Sequence, residues 1–272
     1  MATPAPAPAP RTAFVGCGNL GMAILFGALR SGALHAGETL VVELDERRRG
    51  EAADLGVRVS ADAADARGAR TIVLAVKPQS FAEAARALGA PGGAQLAVSV
   101  MAGHGSAAIR AALGGAVRVV RAMPNTPAQV GMAVTALARG AGATPADLDE
   151  ARHLFEGVGR TVEIEERLID AAVATVGSGP AYLFLLAEAE IAAAVRMGIP
   201  EREARTMVTG TLLGSATLLD RDARTAQELR AAVTSAGGTT AAAVRVFEER
   251  GFRQAVDAAM DAARARSAEL SS

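Results

Sequence analysis

The sequence predicts an α/β fold in two parts: a doubly wound, mostly parallel sheet over residues 12–166, then an all-helical domain over residues 167–272. Three observations carry this reading. Short β-branched apolar runs alternate with Ala-rich helical stretches through the first part and then stop. A glycine-rich turn, Gly16-Cys17-Gly18-Asn19-Leu20-Gly21, joins the first apolar run to the first helical stretch. Near the other end, Val233-Thr234-Ser235-Ala236-Gly237-Gly238-Thr239-Thr240 interrupts a helix-prone region. Each of its adjacent glycines costs about 1 kcal/mol in a helix relative to Ala.

The elements follow in order. Residues 4–10 alternate Pro and Ala, which forms no helix and buries nothing, so a disordered, polyproline-like tail is expected over residues 1–11. Strands are expected at Thr12–Val15, Thr39–Glu43, Thr71–Val76, Gln95–Val100, Val117–Arg121, Met132–Leu137 and Thr161–Ile164. Helical stretches such as Gly21–Arg30 and Ser80–Leu88 lie between them. Thr144-Pro145-Ala146-Asp147 reads as a helix start, with Thr as N-cap and Pro at the first position, and Gly157 ends that helix. Beyond Glu166 helices are expected at 167–175, 180–197, 200–219, 226–234, 239–250 and 252–270. Pro180 and Pro200 suit first helical positions, Gly198 and Gly251 suit C-terminal caps, and Thr225 with Glu228 matches a capping box.

Composition excludes several classes. The chain has 272 residues, is half apolar, 3% aromatic and free of Trp, so its core is built from Ala, Val, Leu and Ile. A net charge of −1 offers no basic surface for nucleic acid or anionic membrane. The lone Cys17 forms no internal disulfide and suits a reducing compartment. His35, His104 and His153 are dispersed, so no metal site is expected. Ala181–Val195 is the most apolar helical stretch, but Glu188 and Glu190 interrupt it and it is shorter than the roughly 20 residues a bilayer needs. A soluble, cytoplasmic protein is therefore expected. A helix apolar on nearly every side demands burial all round, so dimerisation through these helices is expected. The central helix of a monomer is the alternative.

In the glycine turn, Gly16 permits the tight bend, Gly18 lets the backbone approach a pyrophosphate, and Gly21 lets the helix lie close to the strand. With a strand before it and a helix after it, this is the fingerprint of a Rossmann-like, dinucleotide-binding domain. Cys17 is read as a small filler there rather than a nucleophile. After the second strand the chain reads Glu43-Leu44-Asp45-Glu46-Arg47-Arg48-Arg49. An acid at this point accepts from the ribose hydroxyls of NAD, and an arginine pairs a 2′-phosphate. Both types occur, so NADPH and NADH both remain open, with a slight lean to NADPH. In such sheets ligands lie beyond the carboxyl ends of the strands. This makes Ala75, Val76, Lys77 and Pro78, and Met123, Pro124 and Asn125, candidate cofactor-side residues with Asn19 and Leu20. In the second glycine segment, exposed N–H groups and the hydroxyls of Ser235, Thr239 and Thr240 suit a small carboxylate.

Gly16–Gly21, Ala75-Val76-Lys77-Pro78, Arg121-Ala122-Met123-Pro124-Asn125-Thr126-Pro127, Gly177-Ser178-Gly179-Pro180-Ala181-Tyr182 and Val233–Thr240 stand in the order seen in pyrroline-5-carboxylate reductases. The chain resembles that family from about Thr12 to its C-terminus. The resemblance implies hydride transfer from NAD(P)H to the C=N carbon of L-1-pyrroline-5-carboxylate, giving L-proline in the last step of proline synthesis. It implies helical domains interlocked in a homodimer; dimers of the family often assemble into decamers, so dimer and decamer both stay open. It also implies that Ser235, Gly238, Thr239 and Thr240 hold the substrate, Thr240 reaching the ring nitrogen, and that the loops at Lys77 and Asn125 flank the nicotinamide. The sequence departs from the family at Ala236, where a Pro is usual, and at Val173 and Val176, where hydroxyls are usual. Those valines make the substrate pocket drier and bear on which cyclic imine is accepted.

Imine reduction needs positioning more than acid–base machinery, which suits a segment without His or carboxylate. A β-hydroxyacid dehydrogenase would need a base or acid beside a carbonyl, for which Lys77 is the candidate. His104, in Met101-Ala102-Gly103-His104-Gly105, follows a strand and is read chiefly as a loop residue. A non-catalytic NAD(P) sensor is the reading from another class, and it leaves the hydroxyls of Ser235, Thr239 and Thr240 without a purpose.

Overall fold

In the computed structural model, which describes residues 9–90 and 95–270, the first apolar run is strand β1 (Thr12–Val15). It is followed by β2 (Thr39–Val42), β3 (Arg58–Ser60), β4 (Thr71–Leu74), β5 (Leu96–Ser99), β6 (Arg118–Met123), β7 (Ala133–Arg139) and β8 (Gly159–Glu163). These make one sheet in the order β3-β2-β1-β4-β5-β6-β7-β8. Neighbours run parallel throughout, except for the antiparallel pair β6 and β7. Thr12 of β1 registers with Thr39 on one side and Thr71 on the other, so chain order reverses at β1. A crevice opens at such a reversal, beyond the carboxyl ends of the strands.

Both faces of the sheet are covered. On one, Phe14, Val41, Val73, Val98 and Val120 meet Ile24 and Leu25 of α1 (Asn19–Ser31) and Leu148 and Phe155 of α5 (Pro145–Glu156). On the other, Ala13, Val15, Leu40, Ile72 and Leu74 meet Phe81 and Leu88 of α3 (Phe81–Leu88) and Ile109 of α4 (Ser106–Ala112). Alternate residues of a strand point to opposite faces, so a strand buried twice reads as an unbroken apolar run. That is why β1, β2, β4 and β5 were legible. β3 was not expected: it is a short edge strand holding Arg58 and a partly exposed Val59, with too little apolar pattern to register. Helix α2 (Glu46–Ala53) begins among the arginines after β2.

The tail was expected over residues 1–11. Residues 1–8 lie outside the described residues, but Pro10 is buried. Arg11 donates its N–H to the Glu38 carbonyl at 2.9 Å and accepts from the Thr71 N–H at 3.0 Å. The backbone ladder thus starts before any side-chain pattern announces it.

The expected division at Glu166 also differs from the compact units. One unit runs to Ser178 and takes back Ala263 onward; the other spans Gly179–Ala262. The first therefore keeps α6 (Ile169–Ala172) and a π-helical turn at Val173–Gly177. It also keeps the end of α11 (Phe252–Glu269), where Ser267 donates its hydroxyl to Asp170 at 2.6 Å. The second holds α7 (Gly179–Arg196), α8 (Glu201–Arg221), α9 (Ala226–Ala232), α10 (Thr239–Glu249) and the first part of α11. Pro180 falls at the second position of α7 rather than the first, and Pro200 is the N-cap of α8.

Among the described residues of the second unit only Ala204 is buried. Leu183, Phe184, Leu185, Met197, Met207 and Leu213 are all more than half exposed. The helical run Glu166–Arg196 is, by length and composition, long and apolar enough to cross a membrane. This corrects the expectation that the apolar stretch is too short: 3₁₀, α and π turns join end to end where separate helices were expected.

Candidate functional site

The glycine turn is built by contacts that exclude side chains. Gly16 has φ +84°, and a Cβ there would stand 2.8 Å from the Val76 nitrogen. A Cβ on Gly21 would meet the Ala75 Cβ and the Gly16 carbonyl at 3.3 Å, so α1 starts hard against the β4 exit. Gly18 is the N-cap of α1 and has no side chain to shield the helix start. Such a turn suits a dinucleotide's pyrophosphate, since glycine lets the backbone come close and the N–H groups of the first helical turn have no intrahelical partner, with the Arg48 guanidinium standing beside Gly18.

A cleft of about 730 Å³ opens beside the turn. Gly16, Gly18, Ala75, Val76 and Lys77, all expected at the cofactor, line it, joined by Glu43, Asp45 and Arg48 from the β2 exit. Asn19, Leu20, Gly21, Pro78, Met123, Pro124 and Asn125 are not among its lining residues. Leu20 packs on the core. The Pro78 carbonyl lies 3.0 Å from Nε2 of His104. Met123 and Pro124 are buried. Oδ1 of Asn125 accepts the Val134 N–H at 3.1 Å, which pins the turn after β6 to β7.

Sequence reasoning missed how the loops are tied. Arg121 is buried, and its guanidinium donates to the carbonyls of His104 and, at 2.8 Å, Met101. Burial lowers its pKa, opposed by the negative charges of Glu166 and Asp170. Together Arg121 and His104 lace the exits of β4, β5 and β6. The ring of His104 also lies 5.0 Å from that of Phe81. The signal was an arginine inside an otherwise apolar strand. Of the acids that follow β2, Glu43 lines the cleft and receives the N–H of Cys17 at 2.7 Å and that of Asp45 at 3.1 Å. Burial, then the charge of Glu43, pushes the Cys17 thiol up to about 12.

In the other unit, the second glycine segment turns at Gly237, φ +72°, and Gly238 becomes the N-cap of α10. The Gly238 N–H donates to the Ser235 carbonyl at 3.0 Å. A Cβ on Gly238 would stand 2.5 Å from the Ser235 hydroxyl, so glycine alone lets that hydroxyl fold under the turn. Thr239 and Thr240 are the first two residues of α10 and are exposed. Ser235, Gly238, Thr239 and Thr240 thus share one turn whose leading N–H groups face outward from the helix.

A family model described as pyrroline-5-carboxylate reductase dimerisation matches residues 166–270, and one described as NADP oxidoreductase coenzyme F420-dependent matches residues 11–103. The pyrroline-5-carboxylate reductase of Mycobacterium tuberculosis is 39% identical across 96% of both chains. The chain belongs to the pyrroline-5-carboxylate reductase family. The reductase of Pseudomonas aeruginosa is 38% identical across 96% of this chain and 97% of its own. A solved pyrroline-5-carboxylate reductase from Coxiella burnetii, 30% identical, superposes with a TM-score of 0.87 over 97% of this chain and all of that one. A Plasmodium falciparum pyrroline carboxylate reductase with NADP bound shares the fold, with a TM-score of 0.85 at 24% identity over 97% and 98% of the two chains. Within the reductase family this chain places Val173 beside Met123, Ala136 and Ala172. An apolar side chain suits that buried patch.

Proposed function

We propose that this chain reduces L-1-pyrroline-5-carboxylate to L-proline with NAD(P)H, the final step of proline biosynthesis. Kinship with named reductases across 96% of both chains, with both glycine turns in place, carries the reading. The chain is an oxidoreductase of the NAD(P)H-dependent kind.

When bound, the reduced nicotinamide supplies the hydride that the C=N carbon accepts. The chain's residues supply position. Gly16, Gly18 and Gly21 admit the pyrophosphate at the start of α1, aided by Asn19 and Leu20 in the same turn. Ala75, Val76, Lys77 and Pro78 and the loop of Met123, Pro124 and Asn125 flank the reactive ring. Ser235, Gly238 and Thr239 hold the substrate carboxylate by N–H and hydroxyl donors. Thr240 bonds the ring nitrogen and fixes which face of the imine is offered. No group of the enzyme has to take a proton in the step, because the protonated ring nitrogen receives the electron pair of the C=N bond. What remains is alignment at about 3–3.5 Å and exclusion of water.

The active form proposed is a homodimer built on the exposed apolar helices of the second unit. Its cellular place is the cytoplasm. Glu188 and Glu190 stand mid-way along α7, where a bilayer would charge about 2.5–3.5 kcal/mol for an acid at the centre. The resemblance to the family extends to decamers, and light scattering reads whether assembly stops at the dimer.

The test is loss of NADPH absorbance with L-1-pyrroline-5-carboxylate, repeated with NADH. Rapid oxidation is expected. Cofactor binding without oxidation would favour another imine or hydroxyacid substrate, or a non-catalytic sensor.

A further inference from the structure

The corner between β2 and α2 carries charges of both signs, and their partners separate them. Glu43 accepts two backbone N–H groups, from Cys17 and Asp45. Asp45 is the N-cap of α2 and accepts the Arg48 N–H at 3.0 Å. That bond, followed by the charges of the neighbouring arginines, holds the Asp45 carboxyl below its usual range. Asp62, also on the cleft wall, accepts the Ala64 N–H at 2.8 Å. Each of these acids already accepts a backbone N–H. The remaining acid on the wall, Glu83, is carried by α3 rather than by this corner.

The arginines divide too. Arg47 pairs with Glu51 one turn on. Arg49 donates to the carbonyls of Glu43 and Leu44 at 2.8 and 2.6 Å. Arg48 has no carboxylate partner among the described residues. Its guanidinium lines the cleft and reaches back over the glycine turn, with one contact at 3.4 Å to Oδ1 of Asn19. It lies so close to Gly18 that a Cβ there would stand 2.9 Å from its Nη1.

We propose that Arg48 is the residue that selects the phosphorylated dinucleotide: it pairs the 2′-phosphate of NADPH at the β2 exit, where Glu43 and Asp45 already accept backbone N–H groups. This rests on the reductase reading only in that the cleft takes a nicotinamide dinucleotide. A guanidinium with no carboxylate ion pair among the described residues, lining the cleft beside the glycine turn, is a fork-shaped donor set for a dianion.

The test is calorimetric titration of the full chain with NADP⁺ and with NAD⁺, without substrate. The wild type is expected to bind NADP⁺ more tightly. Arg48→Gln is expected to raise the NADP⁺ Kd at least about tenfold, as loss of a charge-assisted bond does, and to leave the NAD⁺ Kd within about twofold. Arg48→Lys should retain part of the preference, because a single ammonium replaces a fork. Added salt should weaken NADP⁺ binding to the wild type more than to Arg48→Gln. Equal or tighter binding of NAD⁺ by the wild type would overturn the proposal, as would equal weakening of both dinucleotides in Arg48→Gln. Thermal melts by circular dichroism report folding. If Arg48→Gln does not fold, the wild-type ratio and its decline in Arg48→Lys decide the matter. Failure of the reductase reading is distinct: the preference for NADP⁺ would stand while L-1-pyrroline-5-carboxylate went unreduced. Turnover of that substrate without discrimination between the dinucleotides would sink the Arg48 proposal alone.

Discussion

Cys17 lies in the glycine turn with no exposed surface and with Glu43 against its own N–H, so its thiolate is disfavoured twice. With the thiol pushed up to about 12, it should resist alkylation by iodoacetamide at neutral pH in the folded protein and react fully once unfolded. Rapid labelling of the native chain would mean the turn opens. Thr240 is a different kind of residue: exposed, early in α10, and with a hydroxyl committed to nothing among the described contacts. Thr240→Ala is expected to lower kcat/KM by the equivalent of about 1–3 kcal/mol, the cost of stranding a hydrogen-bond partner, with NADPH affinity nearly unchanged. Steady-state kinetics with a cofactor titration separates the two quantities, and wild-type turnover in Thr240→Ala would remove its assigned role. Residue types in a short motif made Thr240 and the glycines legible. The partners of Glu43 and Arg121 were not, since they depend on residues far away in the chain.

At the scale of elements, α5 shows how much a cap can be read and what it omits. Thr144 and Asp147 form the expected reciprocal capping box. The structure adds Arg118 of β6, whose Nε donates to both oxygens of Asp147 at 3.0 and 2.9 Å. Burial acts to raise the Asp147 carboxyl, but the N–H and hydroxyl of Thr144 and the charge of Arg118 outweigh it and hold it below its ordinary 3.8. A carboxylate depressed in this way stabilises the fold above that ordinary value, and the contribution is lost as pH falls through the lower folded value. Asp147→Asn should therefore cost about 1–3 kcal/mol at neutral pH, with the gap to the wild type closing in acid. Thermal melts across pH check this, and a gap independent of pH would mean the charge is irrelevant. The π-helical turn at Val173–Gly177 had no signature of its own. At its end Gly177 lies against Met123, where a Cβ would stand 3.4 Å from the sulfur.

For the whole molecule, the informative quantity is missing burial. The first unit, a sheet with the helices that cover it, holds nearly all of the buried apolar residues, while the second unit buries only Ala204 among its described residues. Helices without a core of their own are marginal in water, which is the ground for the homodimer proposed above. Phe184 and Leu185, each 67% exposed, stand on α7 where a second copy is proposed to sit. The double substitution Phe184→Glu with Leu185→Glu is expected to give monomers of lowered Tm. Light scattering and a melt read this together. A dimer that survives both charges would move the interface off that face of α7.

What the sequence determined by itself was the kind of each part: runs buried on both faces, a helical remainder with its punctuation, and two glycine turns whose chemistry is local. Those features depend on spacing along the chain, and spacing is what a sequence records. Only the tertiary structure decided that Glu43 accepts the N–H groups of Cys17 and Asp45, and that Arg48 lines the cleft while Arg47 and Arg49 do not. It alone showed that the first unit continues to Ser178 and recovers the chain's last helical turns. Hydrogen-bond capacity is finite, and which group spends it on which partner is settled by what folding brings within about 3 Å.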